Sequence, residues 1–333
     1  MKAIIPVAGA GTKLRPHTYT QPKALIPLAG KTILSIIIDQ LKHTGITDFI
    51  FVIGYLGEKI QDYVKANYPE LNTHFVTQNE RNGIGHAIEI TKEIVGNDEI
   101  FIVLGDTIAE YDLAKMITSP QSILAVKKVD DPQNFGVAEI DENGIITRVI
   151  EKPAIPKSNH ALVGVYKIKE ADILFECLSK IQEDKQYSYQ DFSLTEAIDC
   201  MIQNGTTFQS IKVENWYDCG KKESLLESNA ILLQKFGSHI SETCQQENTI
   251  IIPPVSIGAG CIIKNSVIGP YVAIGENTSL NHAIIKDSII GAYSNLVEIV
   301  LNSSLIGSDA EVKGVNRSLN IGDNTAIDLG GKR

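Results

Sequence analysis

The sequence predicts an α/β domain followed by a stack of short parallel strands. Three observations carry this prediction. Up to about Phe236, short apolar runs alternate with amphipathic stretches. From Ile251 onward, helical periodicity gives way to apolar positions six residues apart. Between them lies a polar segment, residues 237–248 (GSHISETCQQEN), suited to a linker.

In the first part, residues 3–8 (AIIPVA) read as a buried strand. Residues 32–44 read as an amphipathic helix with Gly45 as its C-terminal stop. Residues 49–53 are again strand-like, 56–67 helical, and 100–104 form a third apolar run closed by Gly105. Strand, helix, strand in this rhythm marks a parallel α/β sheet, in which ligands bind outside the carboxyl ends of the strands. Asn143-Gly144, between β-prone residues, predicts a hairpin turn.

In the second part the six-residue period runs through five triplets: Ile251, Ile257, Ile263; Ile268, Ile274, Leu280; Ile284, Ile290, Leu296; Val300, Ile306, Val312; and Val315, Ile321, Ile327. Six of these residues are followed by glycine, at positions 258, 269, 275, 291, 307 and 322. One such turn cannot bury its apolar edge alone, so the turns must stack. The pattern resembles the hexapeptide repeat of left-handed parallel β-helices over residues 251–329, with a β-sandwich as the alternative. The expected organisation is a domain over residues 1–236, a linker over 237–250 and the repeat domain over 251–329.

Composition narrows the partners. Thirty Lys plus Arg against forty Asp plus Glu leave a net charge of −10, which argues against a nucleic acid polymer or an anionic membrane. A small phosphorylated ligand needs only a local cationic patch. Aromatic residues, at 6%, are too scarce for a single-strand stacking platform. The five scattered cysteines contain no C-x-x-C, which fits neither a disulfide framework nor a thiolate metal site. Together with the lack of a signal-like stretch or an 18-residue apolar run, they give a cytoplasmic expectation.

The first loop carries the strongest local signal. After the first strand come Val7-Ala8-Gly9-Ala10-Gly11-Thr12-Lys13-Leu14-Arg15-Pro16, then Thr18 and Gln21-Pro22-Lys23. Two glycines allow close backbone approach, and amides beside Lys13, Arg15 and Lys23 suit phosphate oxygens. A tight turn alone would explain the glycines equally well. A dinucleotide fingerprint would need glycine where Leu14 stands, and a P-loop would need Gly-Lys-Ser/Thr after its spacer.

The stretch resembles the G-x-G-T-R-L-x-P-x-T…P-K signature of sugar-nucleotide pyrophosphorylases, which join sugar 1-phosphates to nucleoside triphosphates. Further motifs follow in family order. Gln78 to Ala87 (QNERNGIGHA) is similar to a base-binding stretch, Leu104-Gly105-Asp106 to L-G-D, and Asn134-Phe135-Gly136-Val137 to Y-G-V. Glu151-Lys152-Pro153 is similar to E-K-P, Val163-Gly164-Val165-Tyr166 to a sugar-contacting segment, and Trp216-Tyr217-Asp218-Cys219-Gly220 to W-x-D-x-G.

The resemblance implies a Rossmann-like nucleotidyltransferase fold with a mixed sheet over residues 1–236. It assigns Ala8, Gly9, Gly11, Thr12, Gln78 and Gly83 to the nucleotide, and Gly136, Glu151, Lys152 and Gly164 to the sugar phosphate. Lys13, Lys23, Asp106 and Lys152 become the catalytic set, with Asp106 and Asp218 holding Mg²⁺. The family's catalytic arginine is replaced by Lys13, a point charge in place of a bidentate fork. Glucose 1-phosphate with dTTP or UTP is the expected substrate pair. A mannose-1-phosphate guanylyltransferase and a catalytically weak regulatory relative are the alternatives. The repeat domain is expected to mediate homo-oligomers. Acyl transfer at His282, the single histidine of the repeats, is disfavoured because no long inserted loop is present to form a cleft.

Overall fold

The computed structural model describes residues 1–80, 82–183 and 192–315. The chain divides into two units, Met1–Phe236 and Gly237–Arg333.

A nine-stranded mixed sheet organises the first unit. Lys2–Pro6 runs parallel between Asp48–Ile53 and Ile100–Val103, and Asn72–Thr77 extends the parallel half beyond Asp48–Ile53. Parallel strands are covered on both faces, so they read as continuous apolar runs. Ile4, Ile50, Phe51, Ile100 and Ile102 are all fully buried. Past Ile100–Val103 the order continues with His160–Ile168, Ser122–Lys128, Phe208–Lys212, Ile145–Glu151 and Gly136–Ile140. In this half Ser122–Lys128 and Phe208–Lys212 run parallel, and the other pairings are antiparallel. The mixed sheet is the one the resemblance implied.

Local chemistry explains the element boundaries. The helix Ile33–Lys42 starts on a capping box: Thr32 Oγ1 accepts from the Ser35 N–H and Ser35 Oγ accepts from the Thr32 N–H, both at 3.0 Å. The hairpin forms where Asn143-Gly144 predicts it, with Asp141 Oδ1 accepting from the Asn143 and Ile145 N–H groups. Among the described residues no helix is long and apolar enough to cross a membrane.

The second unit consists of parallel ladders. One runs His239–Ile240, Val255–Ile257, Val272–Ile274, Ile289–Ile290, Leu305–Ile306. In a second, Gln245–Glu247, Ile262–Lys264, Ser279–Lys286, Asn295–Asn302 and Glu311–Lys313 pair in turn. A third set of pairings joins Ile250–Ile251 to Val267–Ile268 and that strand to the later half of Ser279–Lys286. In-register pairing stacks like residues into columns, such as Ile257 on Ile274 on Ile290 on Ile306.

Two sequence expectations need correction here. Residues 237–250 are more than a linker, since His239–Ile240 and Gln245–Glu247 pair as strands with the next turn. Their polarity reflects a place at the end of the stack, where only one side of a strand meets a neighbour. The six-residue phase also slips in the third and fourth triplets. Ile268 pairs in register with Ile285, and Ile285 with Leu301. Ile285 is 0% exposed, whereas Ile284 is 51% and Val300 72% exposed. The step from Leu280 to Ile285 is five residues, and so is that from Ile285 to Ile290, which shifts the inward position by one. Val315 is likewise exposed, and Ile321 and Ile327 lie outside the described residues.

Ile285→Ala should destabilise the unit by about 2–5 kcal/mol by opening a cavity. Ile284→Ala should stay within about 0.5 kcal/mol, as surface changes do. Denaturant unfolding of both variants checks it, and equal effects would restore the phase read from the sequence.

Candidate active site

The carboxyl ends of the parallel strands open onto a cavity of about 500 Å³. The first loop forms one wall. Lys2–Pro6 runs out into Val7, whose N–H donates to Val52 O, and the chain then turns away through Gly9 and Gly11. Gly11 has φ 58 and a substituent there would meet Lys23 Cβ and Thr18 Cγ2 at 2.9 Å, so only glycine keeps this turn against Lys23. Thr18 Oγ1 donates to Gly11 O, and Leu14 buries its side chain beneath the short helix Thr12–Leu14. Ala8, Gly9, Gly11, Thr12, Lys13 and Lys23 all line the cavity.

A second wall comes from the segment after Asn72–Thr77. Gln78 is buried and its Nε2 donates to Gly83 O at 3.0 Å. Gly83, at φ 86, opens the helix Gly83–Glu89, and the Gly85 N–H donates to Phe192 O. Gln78, Gly83, Ile84 and Ala87 line the cavity.

The third wall holds the two aspartates, brought together by a small ribbon. Thr107–Glu110 pairs antiparallel with Asn215–Asp218, setting Asp218 opposite Thr107 and so beside Asp106. The ribbon is pinned at its far end by Glu110, which accepts from Asn215 Nδ2, Tyr217 Oη and Lys235 Nζ. Burial alone would raise the Glu110 carboxyl, but these hydrogen bonds prevail and hold it ionised at about 2. Asp106 Oδ2 accepts from Lys23 Nζ at 2.6 Å, and Asp218 Oδ1 from the Gly220 N–H at 2.8 Å. Between them the Cys219 thiol is pushed up to about 12, mainly by burial, with Lys23 acting against and both aspartates with the shift. Cys219 is therefore a neutral packing group and not a nucleophile.

The remaining residues do not line the cavity. Gly136 pairs with Glu151 across the hairpin strands. Glu151 Oε2 accepts from Thr195 Oγ1 at 2.7 Å, while Oε1 lies 3.7 Å from Lys152 Nζ. Burial, and then the Glu151 charge, raise the Tyr166 hydroxyl above its ordinary range, which keeps it neutral beside that carboxylate. Gly164 packs against Leu104, whose N–H donates to Gly164 O, and Leu104 is itself a cavity residue.

Ten of the residues picked from the sequence thus share one cavity, and Gly136, Glu151, Lys152 and Gly164 are not among the residues that line it. Arg15 is turned away, with its guanidinium 4.9 Å from the Tyr19 ring centre. Two residues went unread: Lys221, a further cation lining the cavity, and Thr195, which orients Glu151. Lys221 follows directly on Gly220 of W-x-D-x-G, and that adjacency was its only signal. Thr195 left none, since it reaches Glu151 from a helix 44 positions later. His282 is exposed, and Arg81 of the base-binding stretch lies outside the described residues.

A glycine-lined loop, two lysines and a pair of carboxylates around one cavity form an arrangement suited to a phosphate-bearing ligand. The chain belongs to the nucleotidyl transferase family, whose match covers residues 2–235. It is similar over 99% of its length to the low-salt glycan biosynthesis nucleotidyltransferase Agl11 of Haloferax volcanii, at 30% identity and 100% of that protein. It is 30% identical to a glucose-1-phosphate thymidylyltransferase of Streptomyces antibioticus, covering 94% of this chain and 93% of that one. The bifunctional protein GlmU of Methanocaldococcus jannaschii is 35% identical, over 93% of this chain and 78% of that one. Among solved structures, a candidate glucose-1-phosphate thymidylyltransferase from Bacillus anthracis superimposes with a TM-score of 0.61. It is 27% identical and covers 69% of this chain and 94% of that one. The protein is a nucleotidyltransferase.

Proposed function

We propose that the protein is a Mg²⁺-dependent sugar-1-phosphate nucleotidylyltransferase that joins a hexose 1-phosphate to a nucleoside triphosphate and releases pyrophosphate. Glucose 1-phosphate with dTTP or UTP is the preferred pair. The observation that supports this most is the shared cavity, lined by Lys13 and Lys23 of the first loop together with Asp106 and Asp218, with Lys23 paired to Asp106.

An oxygen of the sugar 1-phosphate attacks the α-phosphorus, and pyrophosphate leaves. The attacking oxygen is already anionic, so the protein needs no general base. It must instead bring two polyanions together against their repulsion, which makes orientation and local cations the main contributions. Ala8, Gly9, Gly11 and Thr12 carry the triphosphate, and Gln78 and Gly83 bind the base. Lys13 and the loop amides take the leaving pyrophosphate. Lys23 exchanges its Asp106 partner for phosphate. Gly136, Glu151 and Gly164 hold the sugar, with Lys152 on its phosphate.

The donor set fits Mg²⁺: two carboxylates share one wall, and a hard cation of this kind completes its shell with phosphate oxygens and water. When bound, it supplies positive charge at the α-phosphate. The ladders of the second unit are read as a left-handed β-helix of hexapeptide repeats. Its apolar column Ile250, Val267, Ile284 and Val300 is stacked in register, with Val267 half-buried and the other three exposed, which supports self-association through this unit. A monomer in light scattering would remove that part. The five free cysteines favour the cytoplasm.

A panel of four nucleoside triphosphates against several hexose 1-phosphates, read by pyrophosphate release, tests the reading. Turnover with glucose 1-phosphate and dTTP or UTP is expected. Mannose 1-phosphate with GTP as the best pair would select the guanylyltransferase instead, and no release with any pair would indicate a regulatory relative.

A further inference from the structure

The side-chain amide of Gln78 is fixed end for end, and His86, to which the family resemblance gives no role, helps to fix it. Gln78 is buried and lines the cavity, and its amide carries two N–H donors and one acceptor. Its nitrogen donates to Gly83 O at 3.0 Å and lies 3.2 Å from His86 Nδ1. An amide nitrogen only donates, so Nδ1 accepts and the imidazole proton sits on Nε2. Both amide hydrogens are then engaged by the protein. Gln78 Oε1 accepts no hydrogen bond among the described residues, so the oxygen is the end left for a ligand. Gly83 O alone leaves the amide free to swing about its last torsion, whereas two acceptors hold it in one orientation.

We propose that His86 is a positioning residue for base recognition. With Gly83 it presents Gln78 Oε1, and only that atom, to the nucleotide base. An oxygen accepts from a ring N–H, which uracil and thymine carry at N3 and guanine at N1. Cytosine and adenine present a bare ring nitrogen at the same edge, whose lone pair opposes the oxygen. The site therefore takes bases with a ring N–H beside a carbonyl and disfavours the other two. This rests on the nucleotide site proposed above at Gln78.

The test is equilibrium binding of UTP, dTTP, GTP, CTP and ATP to the full chain by calorimetry, with turnover measured separately. The wild type should bind its preferred ring-N–H triphosphate at least about tenfold more tightly than CTP or ATP, as expected where a buried polar group would otherwise face an unpaired partner. His86→Leu removes the acceptor and should narrow that ratio by about tenfold. His86→Asn, whose Oδ1 stands where Nδ1 stood, should keep the ratio within about threefold of wild type. His86→Ala replaces the leucine variant if the latter does not fold. A leucine or alanine variant that keeps the wild-type ratio, an asparagine variant that loses it equally, or a wild type without preference overturns the proposal. A wild type that binds UTP over CTP but turns nothing over supports this inference while contradicting the catalytic one.

Discussion

Asp106→Asn and Asp218→Asn each lower kcat by about a hundredfold or more while leaving the fold intact. The two changes remove charge without changing shape. Asp218 is exposed, and an asparagine oxygen can still accept from the Gly220 N–H, so the turn survives. Asp106 loses its 2.6 Å ion pair with Lys23, a partly exposed contact worth little to stability. What both variants lose is negative charge at the cavity wall that holds Asp106 and Asp218. If the two carboxylates hold one ion, their effects are not independent, and the double variant should be little worse than the poorer single one. Steady-state kinetics with thermal melts decide this; substantial turnover in both single variants would remove the metal assignment.

Gly83→Ala should reduce kcat/KM by about a hundredfold, through misplacement of the base pocket by a fraction of the substrate's size. At φ 86 an alanine costs about 1–2 kcal/mol before any contact is counted. Its Cβ would also lie 2.4 Å from Phe192 O, a backbone atom that cannot rotate away. Yielding moves the carbonyl that anchors the Gly85 N–H, and it moves Gly83 O off Gln78 Nε2. Gly9→Ala is the informative control. Nothing lies within 4 Å of where its methyl group would stand, so its melting should match wild type, and a loss of nucleotide affinity there would come from the ligand's close approach. Kinetics and melts of both variants check this; wild-type kcat/KM in Gly83→Ala would contradict the pocket described above.

Much of this molecule is legible from residue types. Apolar runs at 49–53 and 100–104 mark buried parallel strands because both faces are covered, and the amphipathic stretch before Gly45 marks the helix Ile33–Lys42. The candidate site is legible wherever one short motif carries its own geometry, as in Gly9 to Lys13 or Leu104-Gly105-Asp106. It was not readable where geometry depends on pairing between distant segments. Thr195 reaches Glu151 only through the packing of a helix on the hairpin strands, and the His86–Gln78 contact depends on the turn at Gly83. The slip from Ile284 to Ile285 was hidden because both positions are isoleucine, and a five-residue edge reads as six when either choice is apolar. Gln245, Gln246 and Glu247 looked like linker because a strand at the end of a stack needs little apolar surface.

The central claim is that this cavity transfers a nucleotidyl group onto a sugar phosphate. The most direct measurement follows a triphosphate labelled at the α-phosphorus, incubated with the protein, Mg²⁺ and a hexose 1-phosphate. The account predicts that the label appears in a nucleoside diphosphate sugar, one for each pyrophosphate released, and only when the sugar 1-phosphate is present. Label recovered as free nucleoside monophosphate, or released without the sugar phosphate, would contradict it.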